Sequence, residues 1–256
     1  MPRASRVILS RTFSPVFLIL LWYLTAFLMK APLILPYPHA VLARFFILVK
    51  TAAFWQSFAF TFLRVIYAFL ITLIAGFMAG LLSADHPVFK AFLEFPLAVI
   101  RVTPVIAFIL IALFWFKSGI VPVFAAVLMS LPVMISASEK GFVKTPEKQE
   151  KLFKAACSGF TGFRAFRYIR LPAAADSLLA GTASAFGICW KVVAAGEVLS
   201  VPRYAAGAMM QRAQIHLETP DVLAITMALV ITSLICQLLL KAVLNKFSSK
   251  NPEKAL

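Results

Sequence analysis

Long runs of apolar residues alternate along the chain with short stretches that hold nearly all of its charge. Crossing a hydrocarbon core of about 30 Å takes about 17–25 residues of helix. Six runs reach that length: 13–30, 57–83, 95–116, 120–137, 173–199 and 222–245. No ten-residue segments of alternating polarity occur. Only helices or closed barrels satisfy backbone hydrogen bonds in lipid, so each run is read as a helix. The pattern therefore predicts an all-α polytopic membrane protein with six transmembrane helices. Arg3, Arg6 and Arg11 precede the first run as in a secretory signal. No small-x-small cleavage site closes that run and the chain after it stays membranous, so it is expected to be an anchor. The connection 30–56, with Pro32, Pro36 and Pro38 before an apolar stretch, reads as a turn and then an interfacial helix at the outer surface.

Composition sharpens this picture. The chain is 62% hydrophobic and 14% charged, against about 45–50% and 25% in soluble domains. Such apolar content excludes a disordered chain and argues against a basic soluble enzyme, because lipid is needed to cover it. The net charge of +15 then reads as loop charge that sets orientation, and no nucleic-acid partner is expected. With the N-terminus inside, the cytoplasmic segments hold 16 Lys and Arg residues and the outer segments 6. Arg64, Arg101 and Lys191 lie within spans. The asymmetry places both termini in the cytoplasm. Cys157, Cys189 and Cys236 are odd in number and widely spaced, so they imply neither a disulfide framework nor a zinc site.

The one long cytoplasmic loop, 138–172, looks structured. Thr145, Pro146 and Glu147 supply an N-cap, an N1 proline and a first-turn acid, which start a short helix. Gly159 suits the left-handed position that ends it. Thr161 caps a second short helix through Phe163, Phe166 and Ile169, stopped by Pro172. Leu152, Phe153, Ala156, Phe160, Phe163 and Phe166 stand among eight basic residues. An apolar surface on so basic a background seeks either a protein partner or an anionic lipid surface.

Within this loop, Gly159, Ile169 and Leu171-Pro172 have the spacing G-x9-I-x-LP. That segment resembles the cytoplasmic signature of bacterial ABC-importer permeases, EAA-x3-G-x9-I-x-LP. Phe153, Lys154 and Ala155 stand where Glu, Ala and Ala are expected. The triplet Lys154-Ala155-Ala156 is similar to the EAA triplet shifted by one residue, with lysine in place of the acid. The resemblance extends outward. Leu35-Pro36-Tyr37-Pro38 is similar to the outer segment of the nitrate/sulfonate/taurine-type permeases, and Thr61-Phe62-Leu63-Arg64 to the TxxR of their second span. Arg101-Val102-Thr103-Pro104 resembles the Arg-x-x-Pro element opening their third span. Trp190-Lys191, with Gly196-Glu197-Val198-Leu199, resembles the element closing their fifth, Gly196 replacing the usual Ala.

The resemblance implies a fold and a function. A permease transmembrane domain over 57–246, containing the coupling loop 138–172, would follow an N-terminal region 1–56 and precede a cytoplasmic tail 247–256. The chain would be a homodimeric inner-membrane importer subunit for a small solute such as a sulfonate, nitrate or taurine. It would work with ABC ATPase subunits and an extracytoplasmic solute-binding protein, amid membrane lipid. Phe153, Lys154, Ala155, Ala156, Gly159, Ile169, Leu171 and Pro172 would couple to the ATPase. No Walker A sequence occurs, so phosphate chemistry is expected on a separate subunit, and neither cofactor nor metal is expected here.

Ionisable residues within spans are functional suspects. Arg64 and Arg101 lie near span ends, where snorkelling is the simple reading. Lys191 either snorkels or lines the translocation path. Glu197, six residues on, cannot pair with Lys191 within one helix, and its family counterpart suggests a pathway or gate role. Arg101, Trp190, Lys191 and Glu197 are therefore the expected path residues. The segment 201–221, helical over 205–217, is expected at the outer face beneath a binding protein. No catalytic constellation sits at membrane depth, which argues against a membrane hydrolase. A secondary transporter would call for inverted repeats and broken midplane helices, and no self-similar halves are visible.

Overall fold

The computed structural model describes residues 3–143 and 166–248, the side chains of 3–12, 15, 169 and 245–248 excepted. Among these residues every regular element is helical and no strand occurs. The elements are α1 (Arg3–Met29), α2 (Pro38–Val49), α3 (Ala52–Asp85), α4 (Pro87–Val102), α5 (Val105–Trp115) and α6 (Val121–Val143). A π-helical turn (Phe166–Arg170) leads into α7 (Leu171–Ser200), followed by α8 (Ala206–Ile215) and α9 (Thr219–Ser248).

Four helices are long and apolar enough to cross a membrane: α3, α6, α7 and the Thr219–Leu244 part of α9. A fifth crossing results if α4 and α5 count as one broken span. The expected six are thus not all found among the described residues. In α1 the apolar stretch is Val16–Met29, about 21 Å at 1.5 Å per residue, short of the hydrocarbon thickness.

The third expected span, 95–116, is bent by 102° between α4 and α5. Thr103 (φ −76°, ψ 129°) and Pro104 (φ −60°, ψ 135°) are both extended. Pro104 lacks an N–H and its ring disfavours helical Thr103, so the Arg-x-x-Pro element forms a corner. Its first arm, α4, was read from sequence as a loop and the start of a span. It is a 16-residue helix with no buried residue. Lys90, Leu93, Glu94, Leu97 and Arg101 line a crevice beside α6, while Val88, Phe92, Phe95 and Val102 are exposed. This polar-in, apolar-out arrangement suits lipid.

Pro172 does not stop a helix. It occupies the first turn of α7, where its missing N–H leaves no bond unmade, and the π-helical turn runs straight into that helix. The helix expected in 30–56 is α2, with Pro38 at its start.

The core lies where α3, α6 and α7 cross. A Cβ built on Gly76 would come within 2.6 Å of the Met134 Cβ, and one on Gly80 within 2.6 Å of the Ile135 carbonyl. Backbones that close leave no room for a side chain, the packing expected between helices in lipid. Thr72 and Ser130 share a 2.6 Å hydrogen bond at this crossing, and the Cys189 thiol donates to Ser130 at 3.3 Å. Phe69, Phe186 and Trp190 fill the space around it.

Candidate functional site

Three places bear on the expected functional residues. The first is the corner between α7 and α8. Glu197 is fully buried and accepts from Arg64 Nη1 at 2.7 Å, Thr61 Oγ1 at 2.8 Å and the Gly207 N–H at 3.1 Å. Arg64 also donates to the Tyr204 carbonyl at 2.8 Å. Thr61 Oγ1 in turn accepts from the Ala206 N–H at 2.9 Å, giving one of the first N–H groups of α8 a partner. Thr61 and Arg64 stand three apart on one face of α3, which is why one carboxylate reaches both. Arg64 is therefore held inside by an ion pair and does not snorkel.

The chain leaves α7 through Val201 at φ 45°, ψ 58°. A β-branched residue in the left-handed region is strained by about 1–3 kcal/mol and persists only where its surroundings enforce the turn. Gly207 is required there, since a Cβ would lie 2.6 Å from both the Ala194 carbonyl and the Glu197 Cβ. Gly196, the departure from the family pattern, faces α6, where a Cβ would meet the Pro122 Cα at 2.8 Å.

A second ion pair acts beside this corner. Arg44 of α2 makes a two-pronged contact with Asp221 of α9, Nη2 to Oδ2 at 2.6 Å and Nε to Oδ1. The bond to Asp221 raises the Arg44 guanidinium above its ordinary value, against a smaller desolvation effect.

The second place is the pair of helix ends flanking 144–165. Arg170 grips Asp85 at the end of α3, one contact measuring 3.2 Å. It also stands 5.7 Å over the Phe142 ring, and Phe142 stacks on Phe166 at 5.8 Å. Lys90 pairs with Glu139 at 2.9 Å. Leu171 and Pro172 open α7, and Ile169 lies in the π-helical turn. Phe153, Lys154, Ala155, Ala156 and Gly159 lie outside the described residues, as do the helix starts expected at Thr145 and Thr161.

The third place is a groove of about 590 Å³ along α6 and α7, lined by Arg101, Ser136, Lys140, Ser177 and Ser184 among others. Arg101 Nη2 donates to Ser136 Oγ at 2.6 Å and to the Pro132 carbonyl at 3.3 Å. Of the four expected path residues, Arg101 alone lines it. Trp190 is buried against Phe186 and Phe62, and Lys191 is exposed. Glu197 lies 13 residues past Ser184, about 20 Å further along α7. The four thus stand in separate environments. Sequence reading missed the groove's partners, although Ser136 and Lys140 (i, i+4) and Ser177 and Ser184 (i, i+7) are placed to share helix faces.

A family model described as "binding-protein-dependent transport system inner membrane component" matches residues 72–250. The chain belongs to that family. It is 24% identical over 246 residues to the taurine transport system permease protein TauC of Escherichia coli (strain K12), covering 94% of this chain and 89% of that protein. It is also 23% identical over 158 residues to the glycine betaine transport system permease protein OpuAB of Bacillus subtilis (strain 168), covering 61% of this chain and 55% of that one. The chain is thus a multi-pass permease subunit of a binding-protein-dependent ABC importer, a transport protein. Membership implies ATPase and solute-binding partners.

Proposed function

We propose that this permease imports a small sulfonate, nitrate, taurine or similar solute. ATP hydrolysis takes place on separate subunits that grip the 146–172 region, with two copies of the chain forming the pore and both termini in the cytoplasm. The similarity to a taurine permease over nearly the whole chain supports the solute class, and the absence of a Walker A sequence supports the division of labour. The division into 1–56, 57–246 and 247–256 goes with this reading. Phe153, Lys154, Ala155, Ala156 and Gly159 carry the coupling contact, with Ile169, Leu171 and Pro172 setting the entry of α7.

One observation carries the coupling role. The segment 144–165 is strung between α6 and α7, whose ends are tied to α3 and α4 through Arg170–Asp85 and Lys90–Glu139. A force on that segment is passed to the bundle core rather than absorbed at a loose joint. Arg101 faces the path from the α6–α7 groove, and Trp190, Lys191 and Glu197 would act further along α7, with Glu197 bracing the far corner. Gly159→Val and Ala156→Asp should abolish ATP-driven uptake in proteoliposomes while membrane insertion stays normal. Unchanged uptake and normal ATPase co-purification in both variants would remove the coupling role.

A further inference from the structure

The geometry points to an anion-binding site in the α6–α7 groove, taking the sulfonate or oxyanion group of the transported solute near the end of the bundle that carries 144–165. The inference rests on the importer reading and names where such a solute pauses. The groove brings two cations, Arg101 and Lys140, together with the hydroxyls of Ser136, Ser177 and Ser184, and none of its lining residues is acidic. Arg101 forms hydrogen bonds with neutral oxygens only, so its charge is oriented but not neutralised. Lys140 is exposed, with no hydrogen-bond or ion-pair partner among the described residues.

Nearby acids are otherwise placed. Glu139 is engaged by Lys90 at 2.9 Å, and with Glu94 it lines the adjoining crevice, which shares Arg101 and Ser136. Asp176, next to Ser177 in sequence, is exposed and does not line the groove. Two unpaired cations and hydroxyl donors with no carboxylate favour a compact anion over a cation or a neutral solute. With Nη2 engaged by Ser136 and the Pro132 carbonyl, Arg101 keeps its Nη1 and Nε hydrogens as charge-assisted donors, whereas Lys140 acts as a point charge. About 590 Å³ leaves space for the rest of a small solute. A comparable oxyanion occurs on anionic lipid as phosphate, but hydroxyls and an oriented arginine along a groove that is otherwise lined by small and apolar residues fit a free solute better.

The test uses the full permease with its ATPase subunits in phosphatidylcholine nanodiscs, measuring radiolabelled sulfate binding by equilibrium dialysis. Saturable binding displaced by ethanesulfonate, but not by neutral ethanesulfonamide, is expected. Lys140→Gln and Arg101→Gln should each weaken it about tenfold, and Ser177→Ala about two- to threefold. Lys140→Gln is the decisive variant, because Lys140 is exposed and the substitution breaks no hydrogen bond or ion pair among the described residues. Absent saturable binding, or affinity unchanged in Lys140→Gln, overturns the site. So does loss of sulfate binding when phosphatidylglycerol is added at constant ionic strength, which makes a lipid headgroup the occupant. Parallel uptake assays with the binding protein separate the two readings. Failed sulfate binding with intact uptake overturns the groove alone, whereas no ATP-driven uptake by the wild type overturns the importer reading.

Discussion

Replacing Glu197 with alanine should destabilise the permease by about 3 kcal/mol, mainly through the charge left behind on Arg64. Glu197 is fully buried, and the Arg64 side chain is only 13% exposed. Removing one partner of a buried pair costs about 3–5 kcal/mol, and the Gly207 N–H loses its acceptor as well. The Tyr204 carbonyl still holds Arg64 at 2.8 Å, which moves the expectation to the low end of that range. For a chain of this size, 1 kcal/mol corresponds to about 2–4 °C in Tm, so the drop should be about 6–12 °C. Thermal unfolding of purified protein, followed by size-exclusion chromatography with fluorescence detection, reads this directly. The double variant Glu197→Ala/Arg64→Met should lose less than the two single losses added together, because no unpaired charge remains. A Tm within about 2 °C of wild type for Glu197→Ala, or strict additivity in the double variant, would refute the reasoning.

Gly207→Ala places a Cβ against the backbone of α7, so uptake should fall at least severalfold. Gly119→Ala, where a Cβ meets nothing within 4 Å, should leave uptake within experimental error, and equal uptake by the two variants would contradict the tight corner. Arg44→Ala removes a tie whose arginine is 40% exposed, so solvent screening limits the expected loss to about 0.5–1 kcal/mol. Proteolysis of the 30–56 segment should quicken modestly in that variant, with Tm lowered by only about 1–4 °C.

The long spans were legible because a continuous apolar run has few other uses, and α3, α6, α7 and α9 begin and end within a few residues of expectation apart from the longer end of α6. The helices α2 and α8 were legible too, the first from the prolines before it and the second as an expected helix over 205–217. Where sequence reading fell short, distant residues or mixed signals were involved. Thr61-Arg64 and Glu197 were each singled out, yet their union spans 133 residues and depends on how α3 crosses α7. Pro104 marked a boundary, but whether a proline opens or folds a span depends on its neighbours. The helix α4 was hidden because its charges suggested a loop. Only beside α6 do Lys90 and Arg101 find partners that make them a helix face. Of the groove cations, Arg101 was singled out as a path residue, whereas Lys140 was counted only as orientation charge.

The close approach of α3 to α6, with no room for even a methyl group at Gly76 or Gly80, has a mechanical consequence. Helices so interlocked do not slide past one another, and α7 is bound to both through the hydroxyl and thiol contacts at their crossing. The three behave as a stiff beam about 45 Å long, judged from the 30 residues of α7. A pivot of ten degrees about one end would carry the other through about 8 Å, wider than a small solute. The strained corner at Val201 sits at the tip of that beam, where a modest push at the root becomes the largest displacement.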